Sequence, residues 1–422
     1  MSSHVVVVGG GIMGLTSAYY LRERGYEVTV LERDAEGRHT TSHGNAGMVV
    51  PSHFIPLAAP GVVAQGIRWM ANPKSPFYIK PRLNADVLGW GWRFWRAGTA
   101  QHVKRSAPVI LALNLASRDL YVQLNEELGG GFDFERQGLT MLTATEHGLE
   151  EEAKVAALAH ELGMTANVLD RAGVQAMEPG ITLNVVGGVH YPEDAHLDPA
   201  KFMQALTERL RASGVNLRFG TEVTGFTANG SRLSAVEYRA AGGAPSSVKA
   251  DHVVVAAGSW SGAVGRQLGL RLPMQPGKGY SMTLEQPSQR LRVPSILSEA
   301  RVAVTRMGER LRVGGTMEIA GFDDGANAVR VEGIIESALR YFPDLQRAEF
   351  DAPPRWHGFR PCSPDGLPYL GNSPGHANVT VASGHSMMGV SLAPVTGKLV
   401  GELVAGEQPS LDIGLLSVGR YS

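Results

Sequence analysis

The segment VVVVGGGIMGLTSAYYLRERGYEVTVLERD, from Val5 to Asp34, admits few folds. Val5 to Val8 has the unbroken apolar character of a strand covered on both faces, and Gly9, Gly11 and Gly14 follow as G-x-G-x-x-G where a helix opens. Each glycine has its own task in such a turn. Gly9 bends the chain sharply, Gly11 lets a pyrophosphate approach the backbone, and Gly14 lets the helix lie close on the sheet while its N-terminus faces the phosphate charge. Leu15, Ala18, Tyr19 and Leu21 give the helix an apolar face, Gly25 ends it, and YEVTVLER supplies a second strand. That strand ends on Glu32, about 20 residues past the glycines, where a carboxylate can accept hydrogen bonds from a ribose diol. Strand, turn, helix, strand and acid in this order specify a βαβ unit built for a dinucleotide, without separating a flavin from a nicotinamide.

The rest of the chain bounds the partners. At 422 residues, with 43% apolar but only 7% aromatic residues, it suits an α/β interior with a sizeable core. A formal charge of -1 and a pI near 6.9 leave no basic field, which argues against nucleic acid and for a small ligand. Cys362 is the single cysteine, so no intramolecular disulfide and no cysteine-based metal site is expected, in keeping with a reducing, cytoplasmic setting. No secretory signal is expected ahead of the first strand, and no apolar stretch is long enough to suggest a spanning helix. VLGWGWRFW, Val87 to Trp95, reads as a helix packed on the protein. With Arg93 and Arg96 it is also the one candidate face for peripheral docking on a membrane.

Further along, DPAKFMQALTERLRAS predicts a helix with Asp198 as N-cap, Pro199 in its first turn and Gly214 closing it. The following stretch alternates and turns at Asn229-Gly230, as a β-meander does. DHVVVAAGSWSG and NVTVASGHSMMGVSL each run from a buried strand into a glycine turn. The dinucleotide fold is therefore expected to be discontinuous, over 1–56, 148–272 and 355–422, with a substrate domain from 57–147 and 273–354. TTSHGNAGMV, ending at Val49, reads either as a backbone passing close to a second ligand segment or as an ordinary polar loop.

GxGxxG with Glu32, TSHGNAG, GGVHYPEDAHLDP, VVVAAGSWS, GKGYSMTL, GFRPCSPDGLPYLG and the closing SGHSMMGVSLAPVTGKLV together resemble the D-amino-acid-oxidase (DAO) superfamily of flavoproteins, in order and over nearly the whole chain. Within it the likeness is to bacterial D-amino acid dehydrogenases, including the D-hydroxyproline dehydrogenase type. The resemblance implies non-covalent FAD, a Rossmann-like domain interleaved with an antiparallel-sheet substrate domain, and oxidation of an amine next to a carboxylate. It implies FAD contacts at Gly9, Gly11, Ile12, Met13, Gly14, Glu32 and Arg33, and at Thr41, Ser42, Asn45, Ala46, Gly47 and Met48. It adds Val223, Ala257, Gly258, Trp260 and Gly358, and finally Gly384, His385, Ser386, Met387, Met388 and Gly389. The arginine of its G-[LF]-R-P motif, here Arg360, would grip the substrate carboxylate, as a planar guanidinium fork can. Where glycine oxidases carry a tyrosine near the substrate this chain has Val302, which speaks against glycine or sarcosine. Tyr280 is a second candidate substrate contact or else a core tyrosine with a satisfied hydroxyl. Cys362 reads as a small buried thiol rather than a flavin attachment point.

Hydride transfer to a flavin needs a deprotonated amine, which solution pH supplies, so no general base is required. His43, His53 and His385 read as structural, with His53 the one expected to touch substrate. A helix starting near Ser386 is expected to aim N–H groups at the flavin pyrimidine. The product would be an imino acid, then a 2-oxo acid and ammonia, with electrons going to a quinone or another acceptor. The alternatives are an amine oxidase of the same fold acting on glycine, sarcosine or an L-imino acid with oxygen, a flavin-binding relay subunit without turnover, and a nicotinamide enzyme.

Overall fold

The computed structural model describes residues 3–37, 40–70, 72–82 and 84–422. Its organising element is a six-stranded sheet in which His4–Val8 is central. Glu27–Leu31 and His252–Val255 flank that strand in parallel, Asn216–Arg218 and Val379–Ser383 extend the sheet, and Tyr369–Asn372 closes one edge antiparallel. Val5, Val6 and Val7 are fully buried, as expected for a strand covered on both faces. Helix Ile12–Glu23 lies on this sheet against Ala393–Val404, and its approach depends on Gly14, where a Cβ would stand 1.8 Å from the Gly9 carbonyl oxygen.

Helix Pro199–Ala212 forms where expected. The Asp198 carboxylate accepts from the N–H groups of Ala200 and Lys201 at 2.9 and 3.4 Å, and Gly214 sits at φ +82 just past the end. The expected meander is a three-stranded sheet of Thr221–Asn229, Arg232–Ala240 and Pro245–Lys249.

The second large sheet has nine strands and is mostly antiparallel. Gln275–Leu284 lies between Arg310–Ile319 and Trp356–Cys362, which makes it the floor of the site described below. Its membership corrects the expected segment boundaries. Asn167–Asp170, Gly187–Tyr191 and Trp356–Cys362 were assigned to the dinucleotide fold and are strands of this sheet instead. Conversely, helix Ala100–Glu127, assigned to the substrate segment, packs Ile110, Leu113, Tyr121 and Leu124 into the core beneath Ala393–Val404. The Tyr121 hydroxyl donates to the Val390 carbonyl at 2.6 Å. Short apolar strands look alike in either sheet, because partners distant in the chain decide which one they join.

Segment 87–95 divides its aromatics between two faces of helix Ala85–Ala97. Trp90 and Phe94 are buried and stack at 5.0 Å, whereas Trp92 and Trp95 are more than half exposed.

Candidate active site

A cavity of about 1570 Å³ opens between the two large sheets, larger than the roughly 300–1,000 Å³ of a drug-sized pocket and matched to a dinucleotide plus a small second ligand. One end is built by the N-terminal βαβ unit. Gly9, Gly11, Ile12 and Met13 line it, and helix Ile12–Glu23 opens there with no side chain on its N-cap Gly11 and no acid in its first turn; the Ile12 N–H reaches Ser42 Oγ at 3.4 Å, and the N–H groups after it are left for an anion. Gly11 faces open space, with no protein atom within 4 Å of where a Cβ would stand. Gly14 lies behind the wall rather than on it, so its task is packing.

Glu32 lines the same end, and its carboxylate accepts from the N–H groups of Gly10 at 2.6 Å and Asp34 at 2.8 Å. The acid thus fixes the glycine turn while keeping lone pairs for a diol. Arg33 lies 4.2 Å over the ring of Trp260, which stacks at 4.8 Å on Phe322. Val223, Ala257 and Gly258 complete this end.

The loop with Thr41, Ser42, Asn45, Ala46 and Met48 lines the middle of the cavity; Gly47 does not reach the wall. This loop is not an ordinary polar turn. Buried Arg312, its guanidinium pushed down to about 10 by burial, donates to the carbonyls of His43 and Asn45 at 2.8 and 2.7 Å. Ser281 Oγ donates to the Gly44 carbonyl at 2.9 Å, and Thr41 Oγ1 accepts from the Phe359 N–H at 3.1 Å. Gly44 and Gly358 both press on the Trp356 ring, where a Cβ on either would fall within 2.3 Å. Arg312 and Trp356 escaped the sequence reading, since nothing local marks a strand residue that holds a loop far away in the chain.

On the floor, Arg360 is the centre of charge. Its guanidinium lies over Gly279, where a Cβ would stand 2.3 Å away. Nη1 donates to the Thr316 carbonyl at 2.5 Å, and no carboxylate among the described residues pairs with it. Burial pulls its pKa below the usual arginine value, yet a guanidinium remains charged at neutral pH. Thr316 sits at φ +66, where a β-branched residue is an outlier, at an irregularity that sets two residues of its strand against Gly279 alone. This bulge turns a carbonyl to Arg360; the doubled glycine at 314–315 was its only trace in the sequence.

Tyr280 also borders the cavity, but its hydroxyl is already satisfied within the protein. Being one residue from Gly279, its side chain leaves the opposite face of the strand, where its hydroxyl donates to Glu318 at 2.5 Å and its ring joins the core with Met282 and Tyr341. Burial, then Glu318, raises its pKa. Val302 packs in that core too, away from the cavity wall, so it neither admits nor excludes a small substrate.

His53 lines the cavity beside Ile55, and burial, reinforced by Arg301, lowers its pKa to about 4. His385, Ser386, Met387, Met388 and Gly389 also line it, whereas Gly384 lies behind. The helix expected at Ser386 is only a 3-10 turn, Ser386–Met388, and the α-helix begins at Ala393. His385 is buried, donor or acceptor to Thr396 Oγ1 at 3.0 Å, and held neutral with a pKa near 3. Cys362 is a buried thiol pushed up to about 11 by burial, packed with Met317, Trp90 and Phe94. No group of ligands able to hold a metal occurs among the described residues.

The open face at Gly11, the acid-free helix start, the anchored Glu32 and the volume of the cavity all fit a dinucleotide. Comparison with known proteins agrees. Residues 4–403 match the FAD dependent oxidoreductase family, DAO. The D-amino acid dehydrogenase of Methylobacterium radiotolerans is 36% identical over 99% of this chain and 100% of its own length. That of Granulibacter bethesdensis is 34% identical over 99% of each. Among solved structures, glycine oxidase from Geobacillus kaustophilus superposes with a TM-score of 0.79 at 24% identity over 100% of both chains. L-proline dehydrogenase from P. horikoshii gives 0.73 at 20%, covering 100% of this chain and 98% of its own. The chain belongs to the FAD dependent oxidoreductase (DAO) family.

Proposed function

We propose that this protein oxidises the Cα–N bond of a free D-amino acid, with D-proline and D-hydroxyproline as the first candidates, and acts as a dehydrogenase rather than an oxidase. The observation that carries the reading is Arg360, a half-buried guanidinium with no carboxylate partner among the described residues, on the wall of a cavity with room for more than the dinucleotide. A free amino acid brings the carboxylate that this cation lacks, and the D-amino acid dehydrogenases similar to this chain give the donor class. FAD, when bound, supplies the two-electron acceptor for the hydride leaving Cα. Gly9, Gly11, Ile12 and Met13 would hold its phosphates and Glu32 its ribose. Arg360 fixes the substrate carboxylate against Gly279, which restricts the Cα–H to few orientations. The amine loses its proton to solvent, and the resulting imine takes up water to give a 2-oxo acid and ammonia, or persists as a cyclic imine when the substrate is a proline.

The test is anaerobic mixing of the yellow holoenzyme with D- and L-amino acids, both prolines, glycine and sarcosine while flavin absorbance is followed. D-forms alone should bleach it, with slow recovery in air. Bleaching by glycine or an L-form, or immediate recovery in air, overturns the reading.

The same chemistry needs an acceptor, and we infer a membrane quinone. Helices Val62–Met70 and Ala85–Ala97 line the cavity with Val63, Trp90 and Phe94 while exposing Ile67, Leu88, Trp92 and Trp95, with Arg68, Arg93 and Arg96 among them. Apolar tips in a basic setting suit an anionic bilayer surface, although no helix among the described residues is long and apolar enough to cross a membrane. The double variant Leu88→Ser/Trp92→Ser should lower partitioning onto anionic vesicles by roughly tenfold or more. Its flavin should still bleach with substrate at the parent rate. Unchanged partitioning would place the docking face elsewhere.

A further inference from the structure

His53 reaches the cavity at the end of a hydrogen-bonded chain whose far end is sealed in the protein. Its Nδ1 lies 3.0 Å from Ser52 Oγ, and Ser52 Oγ lies 2.5 Å from Oδ2 of Asp194, a fully buried carboxyl in the turn after Gly187–Tyr191. The Ser52 N–H donates to the other oxygen, Oδ1, at 3.0 Å. Nε2 has no protein partner among the described residues. None of these contacts involves the carboxylate grip of Arg360.

The serine hydroxyl has one proton, so the chain has a direction. When Asp194 is a carboxylate it accepts that proton's hydrogen bond, Ser52 Oγ then accepts from Nδ1–H, and Nε2 faces the cavity bare. When Asp194 carries a proton, the Ser52 N–H at Oδ1 leaves it on Oδ2, aimed at Ser52 Oγ. The serine must then donate to Nδ1, and Nε2 carries the hydrogen. We propose that Ser52 and Asp194 are positioning residues that set the tautomer of His53, and so decide whether its Nε2 meets the bound substrate as acceptor or as donor. The inference deepens the amino-acid-oxidising reading of the cavity and rests on it.

The electrostatics let both states occur. Burial raises Asp194 to about 8 against the opposing Ser52 hydrogen bonds; Glu193 adds to the rise and Arg118 counters it, and the Tyr191 phenol is the other titratable neighbour. Burial and Arg301 keep the imidazole neutral, so only its tautomer can change. Below the Asp194 pKa the carboxyl is protonated and Nε2–H is a donor. Above it Nε2 is an acceptor, the form that can take a hydrogen bond from a substrate N–H and leave the amine lone pair free for imine formation.

The experiment is ¹⁵N NMR of the histidine-labelled holoenzyme, with the His53 signals identified by their loss in His53→Gln. The parent should pass from Nε2–H to bare Nε2 with a midpoint near pH 8. Asp194→Asn, whose amide oxygen takes the Ser52 N–H and whose amide nitrogen donates to Oγ, should stay Nε2–H throughout. Ser52→Ala, which deletes only a hydroxyl, should uncouple the tautomer from pH even if the asparagine variant fails to fold. In kinetics on D-proline the ratio of parent to Asp194→Asn kcat/KM should rise from near one at low pH to roughly tenfold at high pH, since one hydrogen bond is reversed. One tautomer at every pH in the parent, or a ratio that does not change with pH, overturns the proposal. A flavin that no D-amino acid bleaches defeats the functional reading instead, and the tautomer result remains legible without turnover.

Discussion

Arg360→Met is expected to lower kcat/KM for a D-amino acid by roughly 10³-fold while leaving FAD bound and the fold at least as stable. The activity loss follows from removing a desolvated, charge-assisted fork, an interaction whose rupture costs about 3–5 kcal/mol when one partner is left buried alone. The stability expectation has the opposite sign. Without substrate the guanidinium is the unpaired charge, held only by the Thr316 carbonyl at 2.5 Å and packed over Gly279, and burial already pulls its pKa down. An apolar side chain of similar length removes that desolvation cost, so the melting temperature should hold or rise. Two measurements separate a grip on carboxylate from a general disturbance. A D-amino acid amide should be handled alike by parent and variant, and the flavin absorption of the free enzyme should be unchanged. If the variant oxidises D-proline with an unaltered KM, the carboxylate is held elsewhere, with Arg33, Arg301 and Arg355 the other arginines on the wall.

How far the site could be read in advance depended on how local its causes are. The G-x-G-x-x-G turn, Glu32 and the Asp198-capped helix are each complete within a few residues, and each formed where the pattern placed it. Arg360 was legible from its motif, but its setting was not. The carbonyl that holds it comes from a bulge at Thr316, and the gap that receives it from the missing side chain of Gly279 on the neighbouring strand. Tyr280 shows the limit most sharply. Beside Gly279 in the sequence, it turns its side chain the other way because side chains alternate along a strand, so its hydroxyl meets Glu318 and its ring the core although the residue still borders the cavity. The sheet to which 187–191 belongs, and the loop anchor Arg312, are set by pairings between distant residues that no window of sequence contains.

The glycine turn itself separates what the fold needs from what the cofactor needs. Gly11→Ala should leave the apoprotein folded, with a stability change within about 1 kcal/mol, because Gly11 has φ -71 and ψ 179, open to any residue, and no protein atom lies within 4 Å of the added Cβ. Its affinity for FAD should nevertheless fall by roughly 10²-fold or more, since the methyl occupies the space where a phosphate must approach the backbone. Gly14→Ala should do the reverse. There the Cβ would stand 1.8 Å from the Gly9 carbonyl oxygen, so the helix must lift from the sheet, and the variant should be strongly destabilised or insoluble before any cofactor is offered. Thermal melts of the apoproteins and titration with FAD, followed by the quenching of its fluorescence, measure both quantities. Should Gly11→Ala bind FAD as tightly as the parent, the pyrophosphate does not pass over this turn, and the acid-free start of helix Ile12–Glu23 loses its assignment. Should Gly14→Ala fold normally, the close approach of helix to turn is not what makes the third glycine necessary.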